Sequence, residues 1–363
     1  MNLPIVIFSF FLLLTTQILC YYGTWATYRW GDGKYDVEHI NPHLCTHLIY
    51  TFVGLDYNGN IVSKFNALKH QNPSLKTLVA VGGWNEGSAK FSTVTNPAQR
   101  QNFINSALNM ITTYGFDGLD VDWEYPNRRD TVHGVADIDN FSTLLRETKE
   151  AFDRRGLLLT AAVSATEAAA IQSYDVRTIS RYLDLVNLMT YDMNGAWDPF
   201  TGHNAPLFRG EGGVADERNT VEQSLRFWIN AGCPPEKITL GIPFYGRTFT
   251  LQNPAQNGVG APSSGDGISG QYTGTNGFIG YNEVRRLSQR FSDWLLHCVV
   301  PYAVQDRNWV SYDDPDSIIA KVEYAKQFNI RGIMLWSIET DDFHGICGGG
   351  PYPLLNAINR VLN

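Results

Sequence analysis

The sequence predicts an α/β fold, a closed (β/α)8 TIM barrel with a small α+β insertion domain after strand seven. Three observations predict it. Eight strand-like runs alternate with helical patterns along the chain, the order of a parallel sheet closed on itself. One interval, from Arg247 to the helix start at Asp314-Pro315, runs for more than sixty residues and carries strand and helix signals of its own. It is too long for a structureless loop in a compact domain. The fourth strand-like run ends in a row of acids, at the strand end where such barrels build their sites.

Taken in order, the chain opens on MNLPIVIFSFFLLLTTQILC, with an apolar run from Ile5 to Leu14 and then Thr15, Thr16 and Gln17. That run is too short to span a bilayer comfortably and reads as the core of a signal peptide lacking a basic n-region. Residues 1–19 are set apart on this reading, with cleavage between Thr16 and Leu19 and a secreted, extracellular product. The strand-like segments are 21–29, 46–54, 76–83, 116–124, 157–165, 183–192, 237–246 and 331–339. Between the third and fourth lies a helix over 96–115, with Asn96 as cap, Pro97 in the first turn and Gly115 as its stop. Further helices are expected at 138–155, 217–231, 315–329 and 352–361. The barrel is assigned to 20–248 and 312–363 and the insertion to 249–311. The insertion holds a Gly/Ser-rich loop, a helix near 281–290 and the strand-like VVPYAVQ and NWVSYD. GVGAPS within it lacks the following helix and the Lys-Ser/Thr ending of a phosphate loop.

Composition narrows the function. The chain has 363 residues, 44% hydrophobic and 18% charged, which suits a compact enzyme-sized domain and argues against disorder. A net charge of −8 gives no support for nucleic acid or an anionic membrane as partner. No second apolar stretch is long enough to cross a membrane. The 13% aromatic content is high and supplies the flat faces a carbohydrate cleft needs, although most rings must be core. Five cysteines in a secreted chain are disulfide candidates. Cys20 and Cys45 lie near the starts of two adjacent strand-like runs, Cys298 and Cys347 flank the C-terminal part, and Cys233 in GCPPEK is the odd one out. Asn140-Phe141-Ser142 is a sequon that permits glycosylation at Asn140. With no His-Glu-x-x-His and eight scattered His, neither metal nor cofactor is expected, and His47 and His203 read as hydrogen-bonded structural residues. A monomer is expected.

Residues 115–126 read GFDGLDVDWEYP. Side chains alternate along a strand, so Asp120, Asp122 and Glu124 share one face and Leu119, Val121 and Trp123 the other. Two carboxylates about 4 Å apart repel by about 4 kcal/mol at an effective dielectric near 20. A plain solvated face would put lysine among them; three acids alone mark a site that shares protons.

On that motif the chain resembles the chitinases of glycoside hydrolase family 18. Their D-x-x-D-x-D-x-E signature is met by Asp117, Asp120, Asp122 and Glu124. CYYGTWATYR, CTHLIYTF, AVGGWNEGS, MTYD, GHNAPL, GIPFYGRTF and GIMLWSIETDD follow in family order over nearly all the mature chain. The resemblance implies a retaining hydrolase of β-1,4-linked N-acetylglucosamine polymers that uses its substrate's acetamide as nucleophile, with chitin or chito-oligosaccharides as partner. It implies Glu124 as general acid/base, Asp122 as the group orienting the acetamide, Asp120 as its proton-sharing neighbour, Tyr191 on the acetamide oxygen and Asp192 steadying Glu124 and the sugar. It places Trp336 beneath the scissile sugar. Tyr21, Trp25, Phe52, Gly83, Trp84, Asn85, Tyr125, Met189, Trp197, Tyr245 and Arg247 become cleft linings. It also implies the disulfides Cys20–Cys45 and Cys298–Cys347. Trp30, Trp228, Trp294 and Trp309 are left to core or surface. Ala80 stands where the family often has Ser, and the loop after strand two lacks a tryptophan of vertebrate relatives. The competing function is a chitinase-like lectin that binds without cutting; such members usually lose the acid at the position of Glu124, which is retained here.

Overall fold

The computed structural model describes residues 16–53, 60–94, 96–210, 219–288, 293–297 and 299–363, with backbone only at 60–63, 285–288 and 293–297. Eight parallel strands close into a barrel: β1 Gln17–Gly23, β2 His47–Thr51, β3 Lys76–Gly82, β4 Gly118–Asp122, β5 Leu158–Ser164, β6 Leu185–Met189, β7 Ile238–Pro243, and a last strand, Gly332–Trp336. β2, β4 and β7 are buried at every position, which is why these strands read as near-continuous apolar runs where no acids interrupt them. The seam closes where Gln17 pairs with Gly332 and Leu19 with His47. A Cβ at Gly332 would sit 1.9 Å from the Gln17 carbonyl oxygen, so only glycine lets the last strand approach the first.

The first strand lies earlier than the reading over 21–29. Cys20 pairs with both neighbouring strands, and the strand ends at Gly23, whose N–H donates to Glu339 Oε2 at 3.0 Å. Thr24–Tyr28 then turns as a short 3-10 helix. β4 stops at Asp122, so Glu124 lies two residues beyond its strand rather than at its last position. The predicted helix caps hold: in the helix Pro97–Tyr114, Asn96 Oδ1 accepts from Ala98 N at 3.1 Å, and Gly115 takes φ +76°. Further helices around the barrel are Ala136–Asp153, Val221–Asn230, Pro315–Lys326 and Pro353–Leu362, each within a few residues of its expected range.

After β7 the chain builds a second, antiparallel sheet from β8 Tyr245–Leu251, β9 Ser263–Asp266, β10 Phe278–Gly280, β11 Asp293–His297, β12 Val300–Gln305 and β13 Asn308–Ser311. The barrel's closing strand, Gly332–Trp336, is therefore β14. The sheet starts at Tyr245, four residues before the expected boundary, so that Tyr245 and Arg247 are carried on β8 at the barrel mouth. It has its own core, in which Trp309 stacks on Tyr302 at 5.0 Å and meets Phe249 edge-on at 5.4 Å. Glu283 fastens the loop before β10 by accepting from Tyr272 N, Thr273 N, Thr273 Oγ1 and Gly280 N.

Cys20 and Cys45 form a disulfide between β1 and the approach to β2. Cys233 is a buried free thiol. The expected partner of Cys347, Cys298, lies outside the described residues. Asn140 sits half-buried on the helix Ala136–Asp153, its Nδ2 donating to Asp137 Oδ1 at 3.2 Å. His47 is buried beside Thr46 Oγ1 at 2.9 Å, and burial lowers its pKa to about 4; His203 is buried against Ser311 Oγ at 3.2 Å. Trp228 and Trp309 are core, Trp30 is exposed, and the side chain of Trp294 is outside the description. No helix among the described residues is long and apolar enough to cross a membrane.

Candidate active site

The alternation on β4 sorts its residues as the sequence predicts. Trp123 faces the helices, stacked on Phe91 at 5.4 Å and edge-on to Phe141 at 5.6 Å. Asp120 and Asp122 point into the barrel and are buried, 0% and 2% exposed. Asp117 is different: at the opposite end of the strand it accepts from Thr77 N at 2.9 Å and pairs with Lys69 at 2.9 Å. The first acid of the motif is structural.

The three remaining acids have three environments. Asp120 lies deepest, accepting from Tyr21 Oη at 2.7 Å, from Asn187 Nδ2 at 3.1 Å and from the Thr160 hydroxyl. Asp122 hydrogen-bonds to Asp120. Burial, then the Asp120 charge, hold its pKa well above the ordinary carboxylate range. Asp122 therefore keeps its proton to higher pH than an ordinary carboxyl. Glu124 stands above them, half-buried at the mouth. Burial pushes its pKa to about 7; the Asp192 charge adds to the rise, while a hydrogen bond from Tyr125 and the Arg129 charge oppose it.

Around this column the expected partners fall unevenly. Tyr191 is buried under the site, its hydroxyl 3.6 Å from Met334 Sδ. Asp192, in a left-handed conformation at φ +56°, accepts from Tyr245 Oη and Arg247 Nε, both at 2.7 Å. It is joined to Glu124 through its field, and its carboxylate is held by β8. Tyr21 was expected to line the cleft; it is fully buried and belongs to the Asp120 network, with Trp336 5.6 Å from its ring. Trp336 also meets Phe52 at 5.9 Å and Trp25 at 6.0 Å, and these rings form one aromatic wall. Gly83 takes φ +82°, and a Cβ there would lie 2.4 Å from the Phe52 ring, so glycine is required for that wall. Trp84 and Trp197 are 58% and 60% exposed on the rim, with Arg247 5.0 Å over Trp197. Asn85 is exposed beside Trp84, Tyr125 bonds the acid, and Met189 is half-buried at the end of β6.

Sequence reasoning missed Asn187, Thr160 and Arg129. Asn187 was signalled by a lone amide in the middle of LVNLM, a strand otherwise apolar. Among the described residues no group of three His, Cys, Asp or Glu side chains could hold a metal. What the arrangement offers is a proton held near neutrality above two buried, hydrogen-bonded aspartates, beside aromatic faces suited to sugar rings.

Comparison with known proteins agrees with this geometry. Residues 17–341 match the family described as glycosyl hydrolases family 18. A group IV chitinase of Ostrinia furnacalis, solved in complex with allosamidin, superposes with a TM-score of 0.93 at 55% identity, covering 96% of this chain and 98% of that one. Chitotriosidase-1 of Mus musculus is 40% identical over 367 residues, 96% of this chain and 78% of that protein. Human YKL-39, described as a pseudo-chitinase with retained chitooligosaccharide binding, superposes with a TM-score of 0.89 at 38% identity, covering 96% of this chain and 100% of that one.

Proposed function

The chain belongs to glycosyl hydrolase family 18, and from that premise we propose that it is a secreted chitinase cleaving β-1,4-linked N-acetylglucosamine chains with its substrate's own acetamide as nucleophile. The observation that carries this is the grading of the acids: Glu124 at the mouth with its pKa raised to about 7, above a buried Asp122 that hydrogen-bonds to Asp120 and is held well above the ordinary carboxylate range. Glu124 gives its proton to the glycosidic oxygen as that bond breaks. The acetamide oxygen attacks the anomeric carbon and closes an oxazolinium ion; Asp122 takes a hydrogen bond from the acetamide N–H and steadies the positive charge. Glu124, now a carboxylate, takes a proton from the water that opens the ring. Asp122 cannot be the nucleophile of an ordinary two-carboxylate mechanism. It is the last residue of β4, only two positions before the acid and in its field, and a nucleophile must reach the opposite side of the anomeric carbon. Tyr191, buried and in the field of Asp192, Glu124 and Asp122, is assigned to donate its hydroxyl to the acetamide oxygen once a sugar is bound.

Secretion rests on the apolar run Ile5–Leu14. A second reading, sugar binding without cleavage, follows the human pseudo-chitinase neighbour. The position of Glu124 favours hydrolysis, because a raised pKa there serves an acid and is of no use to a lectin.

The test is proton NMR of the first-formed product from a defined chito-oligosaccharide, with fully deacetylated chitosan as a second substrate. The β-anomer should appear first, and the deacetylated chain should resist. An initial α-anomer, or efficient cleavage of deacetylated chains, would sink the mechanism; no turnover on any acetylated chain would favour the lectin reading.

A further inference from the structure

Five residues past the acid, Arg129 makes three contacts that join two loops of the barrel mouth. Its Cζ lies 3.8 Å over the Trp84 ring. Its Nη1 donates to the Trp84 carbonyl at 2.8 Å and to the Glu124 carbonyl at 3.1 Å. Arg129 takes φ +64°, an uncommon conformation for a long side chain, so its neighbours must hold it there. They do: Asp130 accepts from Ser88 N at 2.8 Å, and Ser88 Oγ donates to the Tyr125 carbonyl at 2.9 Å. The loop after β4 is thereby laced to the loop after β3. No acid forms a salt bridge with Arg129 among the described residues; its guanidinium is given to the indole and to two carbonyls. Trp84 remains 58% exposed, so one face is covered by the cation and the other is open to a ligand.

We propose that Arg129 is a positioning residue of this site, holding the Trp84 indole as a one-faced platform for an N-acetylhexosamine ring and tying that platform to the main chain of Glu124. The proposal rests on the chitinase reading for its ligand. An exposed tryptophan free to turn would lose rotamer freedom when a sugar stacks on it; a ring already held flat loses less. A guanidinium suits the task because it is planar and presents several donors at once, whereas an ammonium can neither stack in the same way nor fork. Arg129 also sets its charge against the groups that face Glu124. These are Asp122 from β4, Asp192 and Tyr191 after β6, Tyr125 beside the acid and Tyr174. Removing the cation leaves the acid holding its proton to higher pH.

The experiment measures kcat and KM on chitotetraose to chitohexaose, with pH profiles, for wild type, Arg129→Met, Arg129→Lys, Trp84→Ala and the Arg129→Met/Trp84→Ala pair. Arg129→Met should raise KM about 2–5-fold, more than it lowers kcat. Its basic limb should move to higher pH, and it should add nothing to KM once Trp84 is alanine. Arg129→Lys should keep the pH limb and lose the KM advantage. An unchanged KM in Arg129→Met, or an equal Arg129→Met effect with and without the Trp84 ring, overturns the proposal; if Arg129→Met does not fold, Arg129→Lys decides by the same KM criterion. A wild type inert on all these chains defeats the hydrolytic reading instead. Tryptophan-fluorescence titration with chitohexaose then tests the platform directly, and an unweakened Kd in Arg129→Met overturns it.

Discussion

Glu124, Asp122 and Asp120 occupy alternate positions in one short segment, and their chemistry differs because their surroundings do. Asp120 has three donors, Asp122 has Asp120, and Glu124 has a tyrosine, a distant aspartate and partial burial. Glu124→Gln keeps the shape and removes the transferable proton, so kcat should fall about 10²–10⁴-fold while oligosaccharide binding, read by tryptophan fluorescence, survives. Near-full turnover in that variant would remove Glu124 from the acid role. With its pKa raised to about 7, Glu124 is protonated below neutrality and ionised above it. The kcat/KM of a fluorogenic chitobioside should therefore fall as pH rises through 7; a profile flat to pH 9 would contradict the assignment. The motif and its shared face were legible in the alternation itself. The Thr160, Tyr21 and Asn187 donors were not, since they come from three other strands.

β1 shows what an element requires. Leu19 is fully buried and pairs with both Met334 and His47, and Gln17 pairs with Gly332 at the seam. Cleavage after Leu19 would strip β14 of three partners; cleavage after Thr16 keeps the strand whole. N-terminal sequencing of the mature protein should find Gln17, or a residue before it, as the first residue, and a start at Cys20 would refute the closure argument. The Cys20–Cys45 bridge links β1 to β2 across a separation of 25 residues. Loop-closure entropy assigns such a bridge about 3.5 kcal/mol. The Cys20→Ser/Cys45→Ser variant should lose that much in urea unfolding, and a loss near zero would mean that the barrel seam alone sets the register. The helix Pro97–Tyr114 was read correctly because its caps are local chemistry. The start of β1 was not, because a strand end is decided by its neighbours.

Across the whole molecule, buried acids bias stability toward mildly acidic pH. Burial raises Glu124 and Asp341 to about 7, although Asp341 accepts from Leu354 N, Leu355 N and Asp342 N. Asp122 is also held well above its ordinary value. Between about pH 4 and pH 7 the folded chain keeps protons that the unfolded chain releases, so stability falls as pH rises. His47, lowered to about 4, works in the opposite sense between about pH 4 and 6.5, but among the described residues Glu339, Asp314 and Asp198 are raised as well and act with the other acids. The thermal midpoint should therefore fall from pH 5 to pH 8, and a midpoint that rises over that range would contradict the buried-acid account.

Periodicity and local chemistry decided a great deal in advance. The alternating apolar and polar positions, the Asn96 and Gly115 caps and the acids of GFDGLDVDWEYP each depend on residues a few positions apart, and such patterns survive in a linear string. Eight recurring strand patterns were enough for a closed barrel, and the interval after the seventh for an insertion. Only the folded chain decided what depends on distant partners. Asp117 is drawn to Lys69 at the far end of β4, and Asp192 is taken by Tyr245 and Arg247 from the second sheet. Tyr21 is enclosed by Asp120 and Asn187, and Arg129 is laid over Trp84. The partners in these contacts lie about 45–166 positions apart in the sequence, and the pKa of a carboxyl is set by whatever the fold places within a few ångströms of it.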